Sequence, residues 1–113
     1  MNMENGKNNF INELGNCPFS YTLSIIGGKW KIEILYLIFV HEKIRYGLLK
    51  KNTPGITHKV LSNQLKELSE SGLITRTEYP TNPPQVEYKL TERGLSLFPI
   101  FKAINDWGME NRI

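Results

Sequence analysis

One stretch decides the fold: residues 54–72, with the sequence PGITHKVLSNQLKELSESG. Pro54 and Gly55 predict a turn, because proline presets φ and glycine adopts conformations that other residues avoid. Thr57 has the side chain of a helix N-cap, and Gly72 is typical of the left-handed residue that ends a helix. The stretch therefore predicts a tight turn followed by a helix bounded by Thr57 and Gly72.

The predicted helix is amphipathic, with leucines on one side at about 100° per residue. The leucines are Leu61, Leu65 and Leu68, and the opposite face carries Lys59, Ser62, Asn63, Lys66 and Glu70. Short polar and basic side chains on an outer face are typical of a helix that enters the major groove of DNA. A solvated surface helix is the alternative, so the rest of the chain has to decide between the two.

Length and composition predict a single cytoplasmic domain. The chain has 113 residues, of which 40% are apolar and 22% charged, as in an ordinary globular protein. The longest apolar run, residues 34–40, is too short to span a bilayer, and the polar N-terminus predicts no signal peptide. Cys17 is the only cysteine, so no intrachain disulfide can form and a reducing compartment is expected.

Positive charge is concentrated in one part of the chain. Residues 43–66 contain six basic side chains and no acidic one. Residues 1–42 carry three basic and four acidic side chains, and residues 94–113 carry two of each. Such an asymmetry attracts polyanions, and duplex nucleic acid is the commonest large one. Double-stranded DNA is therefore the predicted partner.

Upstream of the turn, the chain predicts a polar arm and three helices. Residues 1–16 form the arm, and Cys17 and Pro18 are the expected N-cap and first residue of a short helix. Residues 29–40 are apolar nearly all round, which places their helix at the centre of the fold. Residues 45–51 predict a short basic helix before the turn. Helix, tight turn and basic-faced helix is the helix-turn-helix arrangement.

Downstream of the central helix, the sequence period changes from 3.6 to 2. Residues 73–79 and 85–90 alternate on either side of a proline-rich loop, which predicts a β-hairpin. Behind a helix-turn-helix, such a hairpin is a wing. Thr91 is the expected cap of a last helix over residues 92–110, which Pro99 should kink because it removes a backbone donor.

The last helix carries more apolar surface than so small a core needs. Its stripe consists of Leu97, Phe101, Ile104 and Trp107. The surplus predicts pairing with a second subunit. Together these features predict one domain over residues 17–113 that is mainly α with a small β-hairpin. It is a winged helix-turn-helix with additional N- and C-terminal helices for dimerisation.

Three separated blocks resemble the HxlR-type winged helix-turn-helix regulators, relatives of the MarR regulators. The blocks are CPFSYTLSIIGGKW (17–30), PGITHKVLSNQLKELSESGLI (54–74) and YPTNPPQVEYKLTERG (79–94). They occur in the family's order and spacing over nearly the whole chain. The resemblance implies a homodimeric, sequence-specific DNA-binding transcription regulator whose terminal helices form the dimer interface. It also implies that Cys17, directly before the proline of the first helix, senses small electrophiles or oxidants.

We expect the DNA contacts to come from the basic block, the central helix and the wing, on an inverted-repeat operator. The residues are Arg45, Lys50, Lys51, Thr57, His58, Lys59, Ser62, Asn63, Lys66 and Gln85. Asn63 is the best candidate for adenine, because one amide can pair with both N6 and N7. The chain departs from the family in two places. Gln85 stands where arginine is common, and residues 45–49 have the sequence RYGLL in place of RFxEL.

The sequence gives less support to other functions, and some alternatives remain open. No phosphate-binding glycine loop, nucleophile motif or metal-ligand spacing is present, so we expect neither an enzyme nor a cofactor or metal site. A winged helix used only for protein contact is disfavoured by the basic block. Cys17 has an inert alternative, because most lone cysteines are small buried apolar residues. In that case any inducer would bind non-covalently.

Overall fold

The computed structural model describes residues 17–113, and this part of the chain forms six helices and three strands. The helices are α1 (Pro18–Ile26), α2 (Lys31–His41), α3 (Tyr46–Lys51), α4 (His58–Glu70), α5 (Glu92–Leu95) and α6 (Phe98–Asn111). The strands are β1 (Lys43–Arg45), β2 (Ile74–Tyr79) and β3 (Gln85–Leu90). The predicted polar arm, residues 1–16, lies outside the described residues. The mainly α fold with a small antiparallel sheet is confirmed.

The core is built around α2 and one face of α4. Ile34, Leu35 and Ile38 of α2 are fully buried, which confirms the central position predicted for this helix. The three leucines of α4 pack against them as predicted; they are Leu61, Leu65 and Leu68. Each fully buried leucine contributes about 2 kcal/mol relative to an exposed one. The polar face of α4 is thereby held outward.

Both ends of α4 form as the sequence predicts. The Thr57 hydroxyl accepts a hydrogen bond from the Val60 N–H at 3.2 Å. At the other end Gly72 has a φ of 75°. Its N–H donates to Ser69 O at 3.0 Å, and the Leu73 N–H donates to Leu68 O at 3.1 Å. These two bonds form a Schellman motif, which satisfies the last carbonyls of the helix.

The sheet is antiparallel with the order β1-β3-β2. Strands β2 and β3 form the predicted hairpin, with Ile74 opposite Leu90 and Tyr79 opposite Gln85. The short strand β1 adds a third member, with Ile44 opposite Tyr88. A strand of three residues is too short to show a period of 2, so its pairing is visible only in the folded chain. It fixes the wing to the segment that leads into α3.

The C-terminal segment differs from the prediction of one kinked helix. It forms two helices, α5 and α6, separated at Ser96 and Leu97. Pro99 lies at the start of α6 rather than at a kink, because the first turn of a helix needs no N–H from that residue. Thr91 caps α5 as predicted, accepting from the Gly94 N–H at 3.1 Å.

Phe101 also departs from its predicted role as a dimer contact. Its side chain is only 2% exposed and packs with the core, its ring 5.5 Å from that of Phe39. The break before α6 turns this residue inward, toward α2. Phe101 is therefore a core residue of its own chain and is removed from the surface that a second subunit could contact.

Candidate nucleic-acid interface

A groove of about 950 Å³ lies between α3, α4 and the wing. Its lining is largely apolar and includes Leu48, Leu65 and Val86. Its polar lining brings together five residues predicted to contact DNA, from three separate elements: Arg45, His58, Ser62, Lys66 and Gln85. Apart from the half-buried Gln85, these five side chains are exposed.

The other predicted contacts do not line the groove but are exposed around it. They are Lys50, Lys51, Thr57, Lys59 and Asn63. Lys59 and Asn63 project from the outer face of α4, whereas Lys50 and Lys51 lie in the last turn of α3. Among residues 17–113, none of the six basic side chains of the 43–66 block forms an ion pair. Their charge is therefore free to attract phosphate groups.

Arg76 is a groove residue that the sequence analysis missed. It lies in β2 directly opposite Tyr88 and forms an exposed ion pair with Glu78 at 3.4 Å. Burial raises the pKa of the Tyr88 hydroxyl, and a hydrogen bond from Arg76 partly opposes that rise. The signal was present in the alternation of β2, because Arg76 shares a strand face with the buried Ile74 and so turns toward α4.

Tyr46 and His58 meet at the junction of α3 and α4. The Tyr46 hydroxyl lies 2.5 Å from His58 Nδ1, and the two rings meet edge-on with centroids 5.3 Å apart. The tyrosine thus connects the first helix of the pair to the first residue of the second. Both side chains face the groove.

Cys17 lies away from the groove, at the N-cap of α1 as predicted. Its sulfur accepts a hydrogen bond from the Ser20 N–H at 3.4 Å and lies 3.4 Å from the Ser20 hydroxyl. The Ser20 hydroxyl, and after it the Ser20 N–H, lower the pKa of the Cys17 thiol because both stabilise the thiolate. Burial opposes this effect, and the side chain is only 3% exposed.

The terminal helices expose apolar side chains to solvent. On α6, Ile104 is 55% exposed and Trp107 is 68% exposed, whereas Leu97, before the helix, is half-buried. The exposed apolar residues of α1 are Phe19, Tyr21 and Leu23. A single chain leaves these surfaces in contact with water.

Within residues 17–113, no three His, Cys, Asp or Glu side chains come together in a way that could hold a metal ion. No helix of the same part of the chain is long and apolar enough to cross a membrane.

Known proteins resemble this chain in both sequence and fold. The HxlR-like helix-turn-helix family model matches residues 25–112. The HTH-type transcriptional regulator BH0655 of Halalkalibacterium halodurans is 47% identical over 102 residues, which cover 90% of either chain. The redox regulator HypR in its oxidised form is 41% identical with a TM-score of 0.80, covering 86% of this chain and 99% of HypR. Reduced HypR has a TM-score of 0.79, the same identity, and coverage of 85% and 94%.

Proposed function

The chain belongs to the HxlR-like helix-turn-helix family of transcriptional regulators and is therefore not an enzyme; from this premise we propose that it binds an inverted-repeat operator as a homodimer, in the cytoplasm. The observation that carries the proposal is the groove between α4 and the wing. Cations from three separate elements converge on it: Arg45, Lys66 and Arg76. Such a convergence suits the sugar-phosphate backbone that flanks a major groove.

In this arrangement α4 enters the major groove with its outer face. Lys59 and Lys66 contact phosphates, while Asn63 projects toward base edges, where its amide can pair with adenine. The wing lies on the adjacent backbone, and its half-buried Gln85 contributes little base reading. A two-fold dimer presents its two α4 helices to successive major grooves, about 34–36 Å apart.

The proposed dimer surface is formed by the terminal helices. Ile104 and Trp107 of α6 are more than half exposed in the single chain, and α1 adds a further apolar face. Large apolar side chains left exposed in this way are typical of an interaction site. The predicted contact Leu97 is half-buried and remains part of the proposed surface, whereas Phe101 lies in the core and is left out of it.

The DNA-binding proposal predicts two different kinds of loss on α4. Lys59→Ala and Lys66→Ala should weaken binding to every DNA sequence, and each should make the negative slope of log affinity against log salt shallower by about 0.9. Asn63→Ala should instead relax the preference at one base pair per half-site, at about 1–3 kcal/mol. Gel shifts at two salt concentrations on operator variants distinguish these effects.

Lys102→Ala is the matched control for the lysine variants, because Lys102 lies on α6 and already pairs with Asp106 at 2.6 Å. We expect its salt dependence to equal that of the wild type. If the wild type binds no duplex at any salt concentration, the chain is a protein-interaction module instead. An equal loss from Asn63→Ala on all sequences would remove its base-reading role.

We further propose that modification of Cys17 releases the operator. Two findings support this: the similarity to HypR, a redox regulator, and the lowered pKa of the Cys17 thiol. The thiolate would attack an electrophilic carbon of a quinone to form a C–S bond, and the ring would take up a proton to give the hydroquinone adduct. The added group would press on α1, because Cys17 caps that helix and the residue is only 3% exposed. A regulator that responds to a non-covalent ligand is the alternative.

The reactivity of Cys17 should depend on Ser20. Replacing Ser20 with alanine removes the hydroxyl that lowers the thiol pKa, so the pH at which alkylation reaches half its maximal rate should rise. The rate of maleimide or iodoacetamide addition, followed by mass spectrometry across a pH series, measures this shift. Ser24→Ala is the control, because the Ser24 hydroxyl donates to Tyr21 O and not to the thiol.

A gel shift with added quinone then tests the switch itself. Wild-type protein should release DNA as the thiol is consumed, whereas Cys17→Ser should hold DNA at the same quinone concentration. Wild-type protein that holds DNA through complete modification would exclude Cys17 as the switch and favour a non-covalent inducer.

A further inference from the structure

Tyr46 lies across the beginning of the helix that is proposed to read DNA. Its hydroxyl is 2.5 Å from Nδ1 of His58, the first residue of α4, and 3.5 Å from the hydroxyl of Ser62, one turn further along. All three side chains line the groove between α4 and the wing.

In the hydrogen bond between Tyr46 and His58, the tyrosine hydroxyl is the favoured donor. The Tyr46 hydroxyl also lies 3.3 Å from the His58 carbonyl, but that carbonyl is the acceptor for the Ser62 N–H in the hydrogen-bond ladder of α4. The nearer Nδ1 is therefore the better acceptor for the Tyr46 proton. A neutral imidazole that accepts at Nδ1 carries its own proton on Nε2. The ring is left with one free hydrogen-bonding group, and that group is a donor.

We propose that Tyr46 is a positioning residue that fixes His58 as a hydrogen-bond donor, through Nε2–H, to a phosphate oxygen of the DNA backbone. The inference rests on the operator binding proposed above and names one contact within it. A phosphate is favoured over a base edge because His58 begins a helix of thirteen residues, where backbone N–H groups and the helix dipole attract anions. Arg45 and Lys66 line the same groove and favour the same charge.

A double-mutant cycle tests whether Tyr46 acts through His58. The probe is a duplex that the wild-type protein selects from a random-sequence pool. Tyr46→Phe should weaken binding roughly three- to tenfold, which is the scale of one hydrogen bond. The double variant with His58→Ala should bind no more weakly than His58→Ala alone. Tyr36→Phe is the control, because it removes a tyrosine hydroxyl from α2, and Tyr36 does not line the groove.

His58→Gln provides a rescue that a merely structural role for Tyr46 would not show. The glutamine amide places an N–H donor near the position of Nε2 and needs no partner to fix its protonation. This variant should therefore keep most of the wild-type affinity, and adding Tyr46→Phe to it should change little. Thermal melts of the free proteins verify that each variant is folded.

Nitrogen-15 chemical shifts of the His58 ring give a readout that does not depend on DNA. In the free wild-type protein, at a pH where the ring is neutral, the Nε2–H form should dominate, and Tyr46→Phe should shift the ring toward a mixture of both forms. A dominant Nδ1–H form would overturn the proposal. An additional loss from Tyr46→Phe in the His58→Ala background would also overturn it.

Two further outcomes separate this inference from the function on which it rests. If Tyr46→Phe weakens binding only to duplexes that carry one particular base pair, His58 contacts the edge of that base and the proposed phosphate contact is wrong. If the wild type selects no duplex, the proposed operator binding fails, whereas the ring tautomer can still be measured. If the wild type binds DNA and the Tyr46→Phe variant binds it equally well, this inference is refuted, whereas the proposed operator binding stands.

Discussion

Replacing Gly94 with alanine is expected to destabilise the domain by about 3 kcal/mol or more, which is the upper range for overpacking a close contact. A Cβ atom at this position would collide with the carbonyl oxygen of Leu73 and lie 3.2 Å from the Leu90 side chain. Neither the backbone of Leu73 nor that of Gly94 can move freely. The Leu73 carbonyl accepts from the Thr91 N–H at 3.0 Å, and the Gly94 N–H donates to the Thr91 hydroxyl.

The site matters for function because Gly94 packs against both Leu73, which follows α4, and Leu90, the last residue of the wing. Thr91 also donates through its hydroxyl to Gly72 O at 2.6 Å, so the two turns are held together at several points. A side chain at Gly94 should push the wing away from α4 and widen the groove. We therefore expect weaker DNA binding even under conditions where the variant remains folded.

Urea denaturation of wild type and Gly94→Ala measures the effect on stability, and Gly47→Ala is its control. Gly47 lies in the short helix α3, and an added Cβ would meet no atom within 4 Å. That variant should be stabilised by up to about 1 kcal/mol, because alanine favours a helix more than glycine does. Equal midpoints for the wild type and Gly94→Ala would mean that the Leu73 contact relaxes without cost.

Ile104→Asp is expected to release monomers from the proposed homodimer. The side chain is 55% exposed in one chain, so an aspartate there is tolerated in the folded monomer. In the dimer it would be an unpaired buried charge, which costs about 3–5 kcal/mol, or more than a hundredfold in the dimer dissociation constant. Sedimentation over a concentration series should show the monomer, with unchanged secondary structure by circular dichroism.

Leu48→Asp is the matched control for assembly. Leu48 is 41% exposed and lines the groove proposed to bind DNA, so the variant places the same charge at another exposed aliphatic position, away from the terminal helices. This variant should remain dimeric while it binds DNA less well. An intact dimer for Ile104→Asp would move the interface elsewhere, and the exposed apolar face of α1 is the next candidate.

The features that sequence analysis predicted correctly depend on signals close together in the chain. The caps of α4 involve partners within about one helical turn, such as Thr57 with Val60 and Gly72 with Ser69. The hairpin follows from alternation within two segments of six residues each. The N-cap at Cys17 follows from the proline beside it. Backbone groups at helix ends have few possible partners, so local side chains determine these boundaries.

The C-terminal segment shows how tertiary packing modifies a local signal. Pro99 marks a change in backbone direction, but a proline is compatible with both a kink and a new helix start. Packing favours the new helix start, because α6 as it begins there holds Phe101 in the core beside Phe39. The apolar stripe of the sequence therefore divides into a core residue and the exposed pair Ile104 and Trp107.

By itself, the sequence determined the turn before α4, the helix with its leucine face, the wing hairpin and the excess of positive charge around them. Only the tertiary structure decided which of those charges share a groove, that Arg76 joins them and that Tyr46 meets His58. It also decided that β1 pairs with β3 and that residue 94 must be glycine. The physical reason is distance along the chain. Periodicity and capping act within a few residues, whereas these contacts join positions far apart in sequence that meet only when the core packs.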